Sequence, residues 1–126
     1  MLHHLSFGVH ELSRSMHFYD AVLSSLGYVR VWADDEAAGY GRQGGEDLFA
    51  IKLRAGEARA PGAGFHLAFA APSREAVRHF HQAALLNGGM DNGPPGLRAD
   101  YGPDYYAAFV IDPDGHWIEA VINTPE

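Results

Sequence analysis

The chain has 126 residues, of which 47% are hydrophobic and 20% are charged, and this composition is typical of one soluble globular domain. Sixteen aspartates and glutamates stand against nine lysines and arginines, so the net charge of −7 argues against nucleic acid as a partner. The sequence has no cysteine, no secretory signal pattern and no run of roughly 18 apolar residues that would cross a membrane. We therefore expect a cytoplasmic protein without disulfides, thiolate metal sites or membrane contact.

An internal repeat organises the chain. The segment from His4 to Gly27 aligns without a gap on the segment from His66 to Gly89. Six identities between the ends extend the match, among them Phe7 with Phe69, His17 with His79, Phe18 with Phe80 and Ala21 with Ala83. A repeat of this kind indicates two copies of one supersecondary unit. We place these copies, called modules here, at residues 1–53 and 64–123.

The first module is predicted to begin with a strand and a helix. Apolar and polar residues alternate over His4–Val9, which is the pattern of a strand with one buried face. Apolar residues then recur at helical spacing from Leu12 to Leu26, and Gly27 suits the left-handed end of a helix. Three short strands are predicted to follow, at Tyr28–Ala33, Ala38–Arg42 and Leu48–Leu53.

The second module repeats this order. A strand over Phe65–Ala70 leads to a helix that Ser73 caps and Gly88-Gly89 ends. Two further strands, Ala107–Ile111 and Trp117–Ile122, are joined by the turn Asp112–Gly115. The connection between the helix and these strands, residues 87–106, is too long for a plain link, and such loops are often functional. We expect one short strand within it, near Leu97-Arg98.

These elements predict an α+β fold. Two βαβββ modules in tandem would form a curved mixed sheet around a cleft. Neither module could bury its own sheet, so we expect residues 1–126 to form a single domain. Residues 54–64, rich in Ala, Gly and Pro, would link the modules.

Two histidines and one glutamate stand out as candidate site residues. His4 and His66 occupy equivalent repeat positions, on strand faces that otherwise carry small residues. Glu119 interrupts an apolar strand, where an unpaired carboxylate would be costly. A divalent cation held by His4, His66 and Glu119 would explain all three, since two histidines and a carboxylate form a facial triad. The alternative is that both imidazoles are core residues and that Glu119 pairs with an arginine.

The doubled module resembles the vicinal oxygen chelate superfamily, which includes glyoxalase I, bleomycin-resistance proteins and extradiol dioxygenases. The resemblance covers essentially the whole chain. It depends on His4–Val9 leading to Phe18-Tyr19, on the segment His66–Phe69, and on Asp112–Glu119. It implies that His4, His66 and Glu119 are ligands of a divalent metal ion, with Fe²⁺, Zn²⁺, Ni²⁺ and Mn²⁺ as candidates.

The resemblance also implies a function. We expect a small metal-dependent enzyme in which the metal chelates two oxygens of a small-molecule substrate, by isomerase, lyase or dioxygenase chemistry. Proteins of this kind commonly dimerise, so a homodimer is expected. The alternative is a metal-free protein that sequesters a ligand, as bleomycin-resistance proteins do. Glyoxalase I has a fourth metal ligand, a carboxylate on the last strand of the first module. Alignment of the two turns places Phe49 at that position, which puts glyoxalase activity in doubt.

Six further residues complete the predicted site. Glu119 and Tyr106 are the expected catalytic residues, the tyrosine as a proton donor. Arg98, Tyr101 and Tyr105 in and beside the long loop are expected to bind substrate, the arginine through an anionic group. We expect Trp32 and Phe49 to form the apolar wall of the cleft. The tyrosines could equally cover apolar surface.

Overall fold

The first module contains one helix and four strands. The computed structural model describes residues 1–126. Strand β1 (Leu5–Val9) leads to helix α1 (Leu12–Ser24), and Gly27 then reverses the chain with φ of 90°. Three strands follow, β2 (Val29–Ala33), β3 (Ala37–Gly41) and β4 (Asp47–Leu53). Each observed boundary lies close to the one that the sequence pattern predicts.

The second module repeats that order with additional short strands. It comprises β5 (Leu67–Ala70), α2 (Arg74–Leu86), β6 (Met90–Asp91), β7 (Gly96–Leu97), β8 (Tyr105–Ile111) and β9 (Trp117–Asn123). A short 3₁₀ helix, Ala99–Tyr101, lies in the long loop. The short strand expected near Leu97 is present, whereas β6 was not predicted.

Each module forms its own sheet. The first has the strand order β1-β4-β3-β2 and the second β5-β9-β8-β6, with β7 also paired to β8. In both modules the first strand pairs in parallel with the last, and the other pairs are antiparallel. The predicted α+β architecture of tandem modules is confirmed. Strands β1 and β5 are both edge strands, so one side of each backbone is unpaired.

The helices cover one face of each sheet and pack on each other. Helix α1 buries Phe18, Tyr19 and Val22 completely, and α2 buries Val77 and Phe80. These side chains join the inward residues of the strands in one core that spans both modules. The Ser73 hydroxyl accepts a hydrogen bond from the Ala76 N–H at 3.0 Å, which confirms the predicted N-cap. No helix has the length and apolar character needed to span a membrane.

The turn between β8 and β9 fastens the second module to the first. Asp114 accepts hydrogen bonds from the His10 N–H at 2.9 Å and from the Ser15 hydroxyl at 3.0 Å. His116 is buried, stacks on Phe7 with ring centroids 4.0 Å apart, and places its Nε2 3.0 Å from the Gly8 carbonyl oxygen. The sequence pattern indicates only a turn here. The turn is in fact a contact between modules.

Candidate functional site

His66 and Glu119 come together on the open face of the second sheet, the face away from the helices. Glu119 pairs with Ala68 across β5 and β9, and His66 lies two residues before Ala68 on the same side of the chain. His66 Nε2 is 2.9 Å from Glu119 Oε1. The Glu119 side chain is 1% exposed and that of His66 49% exposed. The pair therefore combines a buried carboxylate with an imidazole that solvent can reach.

Tyr105 completes the hydrogen bonding of Glu119. The Tyr105 hydroxyl donates to Glu119 Oε2 at 2.5 Å, so each carboxylate oxygen has one partner. Burial raises the pKa of Tyr105 to about 12, and its hydrogen bond to the Glu119 carboxylate adds to the effect. Tyr105 is therefore a neutral phenol at physiological pH and acts as the donor in this contact.

Tyr106 does not lie at this site, which corrects its expected role as a catalytic proton donor. Successive residues of a strand point to opposite faces, so Tyr106 projects toward α2 when Tyr105 projects to the open face. Its hydroxyl accepts a hydrogen bond from Arg78 Nη1 at 3.3 Å, and the Arg74 guanidinium lies 5.2 Å from its ring centroid. The phenol that reaches Glu119 belongs to the preceding residue.

The long loop brings Arg98 and Tyr101 to the same face. The Tyr101 ring lies 5.2 Å from that of Tyr105, and the Arg98 guanidinium lies 5.4 Å from the Phe109 ring centroid. Together, Arg98, Tyr101 and Phe109 line part of a recess of about 520 Å³. Arg98 also donates to the carbonyl oxygens of Pro94 and Gly96, so it holds the loop in shape.

Phe109 is a site residue that the sequence reasoning missed. It pairs with Glu119 across β8 and β9, and its ring centroid is 6.2 Å from that of His66. Counting outward from the predicted turn Asp112–Gly115 would place Phe109 opposite Ile118. In the structure the hairpin closes between Asp112 and His116, which shifts the pairing by one residue and brings Phe109 opposite Glu119.

His4 lies on the open face of the other sheet. Its Nδ1 is 2.9 Å from His3 Nδ1, and both histidines are exposed. With Trp32 they line a separate recess of about 470 Å³. A Cβ on Gly39 would lie 2.2 Å from Trp32 Nε1, so the indole rests directly on this glycine. Trp32 and His4 therefore line the same recess.

Within one chain, the three expected ligands do not form one site. No group of three or more histidine, cysteine, aspartate or glutamate side chains is placed to hold a metal ion. His66 and Glu119 form one pair on the second sheet, and His4 belongs to the first. In this chain His4 therefore lies apart from the pair that His66 and Glu119 form.

Phe49 faces the helices, which corrects its expected place in the cleft wall beside Trp32. It is 5% exposed and packs against Phe7, Tyr19 and Phe69, with ring centroids 5.0–5.3 Å away. Its partner across β1 and β4 is Leu5, another residue of the helix-facing side.

The position equivalent to Glu119 is Ala50. Ser6 pairs with Ala50 in the first module as Ala68 pairs with Glu119 in the second. An irregularity in the pairing of β3 and β4 near Gly41 shifts the register, so alignment of the two turns errs by one residue. The prediction that no carboxylate occupies this position holds with Ala50 in place of Phe49.

Comparisons with known proteins agree with this architecture. Residues 1–120 match the model of the Glyoxalase/Bleomycin resistance protein/Dioxygenase superfamily. A solved glyoxalase/bleomycin resistance protein from Albidiferax ferrireducens T118 is 36% identical, with a TM-score of 0.81 over 94% of this chain and 95% of that one. No match to a curated protein was found.

More distant solved structures share the fold alone. A glyoxalase-related enzyme from Fulvimarina pelagi is 22% identical, with a TM-score of 0.72 over 95% of this chain and 86% of that one. A glyoxalase I variant from Zea mays is 20% identical, with a TM-score of 0.72. The match to the maize protein covers 95% of this chain and 45% of that one.

Proposed function

Because the chain belongs to the Glyoxalase/Bleomycin resistance protein/Dioxygenase superfamily, we propose that it is a small metal-dependent enzyme. Its substrate would be a small molecule that offers two oxygen atoms to a divalent ion such as Fe²⁺, Zn²⁺, Ni²⁺ or Mn²⁺. The chemistry would be of the isomerase, lyase or dioxygenase kind. The observation that carries the proposal is the approach of His66 Nε2 to the buried carboxylate of Glu119, at 2.9 Å.

The donor atoms of this pair fit a first-row divalent metal. Imidazole nitrogen and carboxylate oxygen are both ligands that such ions accept. Two ligands at about 2.1 Å from an ion and at right angles are about 3 Å apart, which is close to the observed separation. A bound ion of this kind supplies Lewis-acid polarisation of substrate oxygens. The buried Glu119 would then be explained as a ligand.

A second copy of the chain would supply the third ligand. His4 and His66 immediately precede the edge strands β1 and β5, whose backbones are unpaired on one side. We propose a homodimer in which the partner's His4 joins His66 and Glu119. Arg98, Tyr101 and Tyr105 would contact the substrate on one wall, and the partner's Trp32 on the other.

Mixing two inactive variants tests this arrangement. His4→Ala and Glu119→Gln should each lose metal binding when pure. In a 1:1 mixture that exchanges subunits, a heterodimer rebuilds one intact site, so about one chain in four should bind metal again. Zinc content after removal of free ion gives the count, and His17→Ala, which changes an exposed histidine, is the control.

Each result of the mixing experiment has a defined meaning. No recovery in the mixture, although each pure variant folds, would show that the ligands come from one chain. A wild-type protein that binds no divalent metal would overturn the proposed enzyme altogether.

The alternative is a metal-free protein that sequesters a ligand. The observation in its favour is an apolar pocket of about 210 Å³ where the modules meet, lined in part by Leu5, Tyr28, Phe49 and Phe69. Such a protein would bind apolar molecules with or without metal. Displacement of an apolar fluorescent dye from chelator-treated protein tests this function.

A further inference from the structure

Glu119 has two hydrogen-bond partners in this structure, and only one of them is a candidate metal ligand. His66 Nε2 contacts Oε1, and the Tyr105 hydroxyl contacts Oε2. The two contacts approach different oxygens of the carboxylate. Tyr105 can therefore keep its hydrogen bond when Oε1 is directed to another group.

We propose that Tyr105 is a positioning residue, which fixes the Glu119 carboxylate so that Oε1 is presented to the metal ion. This inference rests on the proposed function, because it takes Glu119 to be a ligand. Tyr105 itself would touch neither the metal ion nor the reacting atoms of the substrate. Its effect on metal affinity would act through Glu119, in addition to any contact of its ring with the substrate.

The surroundings of Glu119 leave the Tyr105 hydroxyl as the one group that could position its carboxylate in this way. An imidazole nitrogen that binds a metal uses its lone pair and no longer bonds to the carboxylate. Tyr105 would then be the only protein donor to a side chain that is 1% exposed. A buried carboxylate without a hydrogen-bond donor is unfavourable and free to rotate. Loss of the Tyr105 hydroxyl should therefore weaken metal binding.

Packing holds the Tyr105 ring in place. Tyr105 lies at the start of β8, where it pairs with Asn123, and Tyr101 meets its ring edge-on with centroids 5.2 Å apart. Glu119 lies on the neighbouring strand β9, nearer the turn. Two adjacent strands of one sheet therefore set the geometry of the contact, which is more rigid than a contact made from a loop.

Metal affinity tests the proposal independently of catalysis. Zinc is titrated into metal-free protein in competition with a chromophoric chelator. Tyr105→Phe should weaken zinc binding about 10- to 100-fold, the usual effect of removing a group that orients a ligand. Tyr106→Phe is the matched control, since it removes the adjacent hydroxyl on the opposite face, and its affinity should stay within about twofold of wild type.

A conservative replacement and a spectrum distinguish positioning from a general packing effect. Placing 4-aminophenylalanine at position 105 keeps a donor at the ring end and should restore most of the zinc affinity. The visible absorption bands of the Co²⁺-loaded protein should change in Tyr105→Phe and not in Tyr106→Phe.

The outcomes separate this inference from the function on which it rests. If wild type binds zinc and Tyr105→Phe binds it as tightly, the positioning role is overturned while the proposed metal site stands. If 4-aminophenylalanine fails to restore affinity, the hydroxyl acts through packing, and the positioning role is again overturned. If wild type binds no zinc, the proposed function itself fails.

Discussion

The Tyr19 hydroxyl donates to Asp112 Oδ2 at 2.5 Å and joins the helix of the first module to the turn that precedes β9 in the second. Both residues are buried, with exposures of 0% and 4%. The backbone N–H groups of Asp114 and His116 donate to the other oxygen of Asp112. The buried carboxylate is thus fully provided with donors, one of which comes from the other module.

Tyr19→Phe should destabilise the protein by about 1–3 kcal/mol, since it leaves a buried acceptor without one of its donors. Urea denaturation measures the change. Tyr40→Phe is the control, because the Tyr40 hydroxyl donates to Asp20, whose side chain is 41% exposed and can bond to water instead. Equal losses in the two variants would contradict a special role for the contact between modules.

The contribution of Asp112 to stability should depend on pH. Burial raises the pKa of Asp112, although His116, the Tyr19 hydroxyl and two backbone N–H groups oppose the shift. A raised folded-state pKa means that the unfolded chain ionises first as pH rises. The folded state then loses stability until Asp112 ionises in it as well.

Comparison with Asp112→Asn isolates this contribution. The stability of wild type minus that of the variant should be constant below roughly pH 4 and should fall as the pH rises from there toward neutrality. Urea denaturation over a pH series gives the difference, in which titrating groups that do not contact Asp112 cancel. A difference that rises over this range would show that the donors lower the pKa more than burial raises it.

Ala50→Glu should add a carboxylate at the position that Glu119 occupies in the other module. If the proposed metal site is correct, zinc affinity should rise, because a further carboxylate oxygen joins the ligands. Phe49→Glu is the contrast. It places a charge in the aromatic core beside Phe7 and Tyr19 and should cost several kcal/mol. Thermal denaturation and zinc titration of both variants decide which residue faces the site.

The repeat made the fold predictable, since identical residues at equivalent positions indicated the doubled module, and the family match confirmed the resemblance. The faces of individual residues were harder to predict. Tyr105 and Tyr106 are chemically identical neighbours, and only the register of β8 against β9 decides which phenol reaches Glu119. Phe49 was misplaced by one residue because the irregular pairing near Gly41 leaves no mark in the sequence.

The location of His4 could not be predicted for another reason. A strand pattern shows which residues share a face of one sheet, but it does not show how two sheets are arranged. His4 and His66 each precede the first strand of their module, as the repeat requires. Whether the two histidines meet depends on how the modules pack on each other and on further copies of the chain. The residue pattern of one strand does not encode that packing.

Arg98→Ala should loosen the loop before β8. The variant loses both hydrogen bonds to the carbonyl oxygens of Pro94 and Gly96. Backbone amides of residues 92–104 should exchange hydrogen faster, while those of β9 stay as protected as in wild type. If hydrogen exchange in the loop were unchanged, Arg98 would not stabilise the loop, and substrate contact would remain as its proposed role.

The contacts of Asp114 and Asp112 also constrain the order of folding. Ser15 and Tyr19 are synthesised early, yet their hydroxyl partners are the carboxylates of Asp114 and Asp112, about a hundred positions later. A nascent chain that ends before the second module therefore leaves two polar groups of α1 without their native partners. The first module can complete its native contacts only after the hairpin of β8 and β9 has been synthesised. Because these contacts join residues far apart in sequence, we expect the chain to fold slowly.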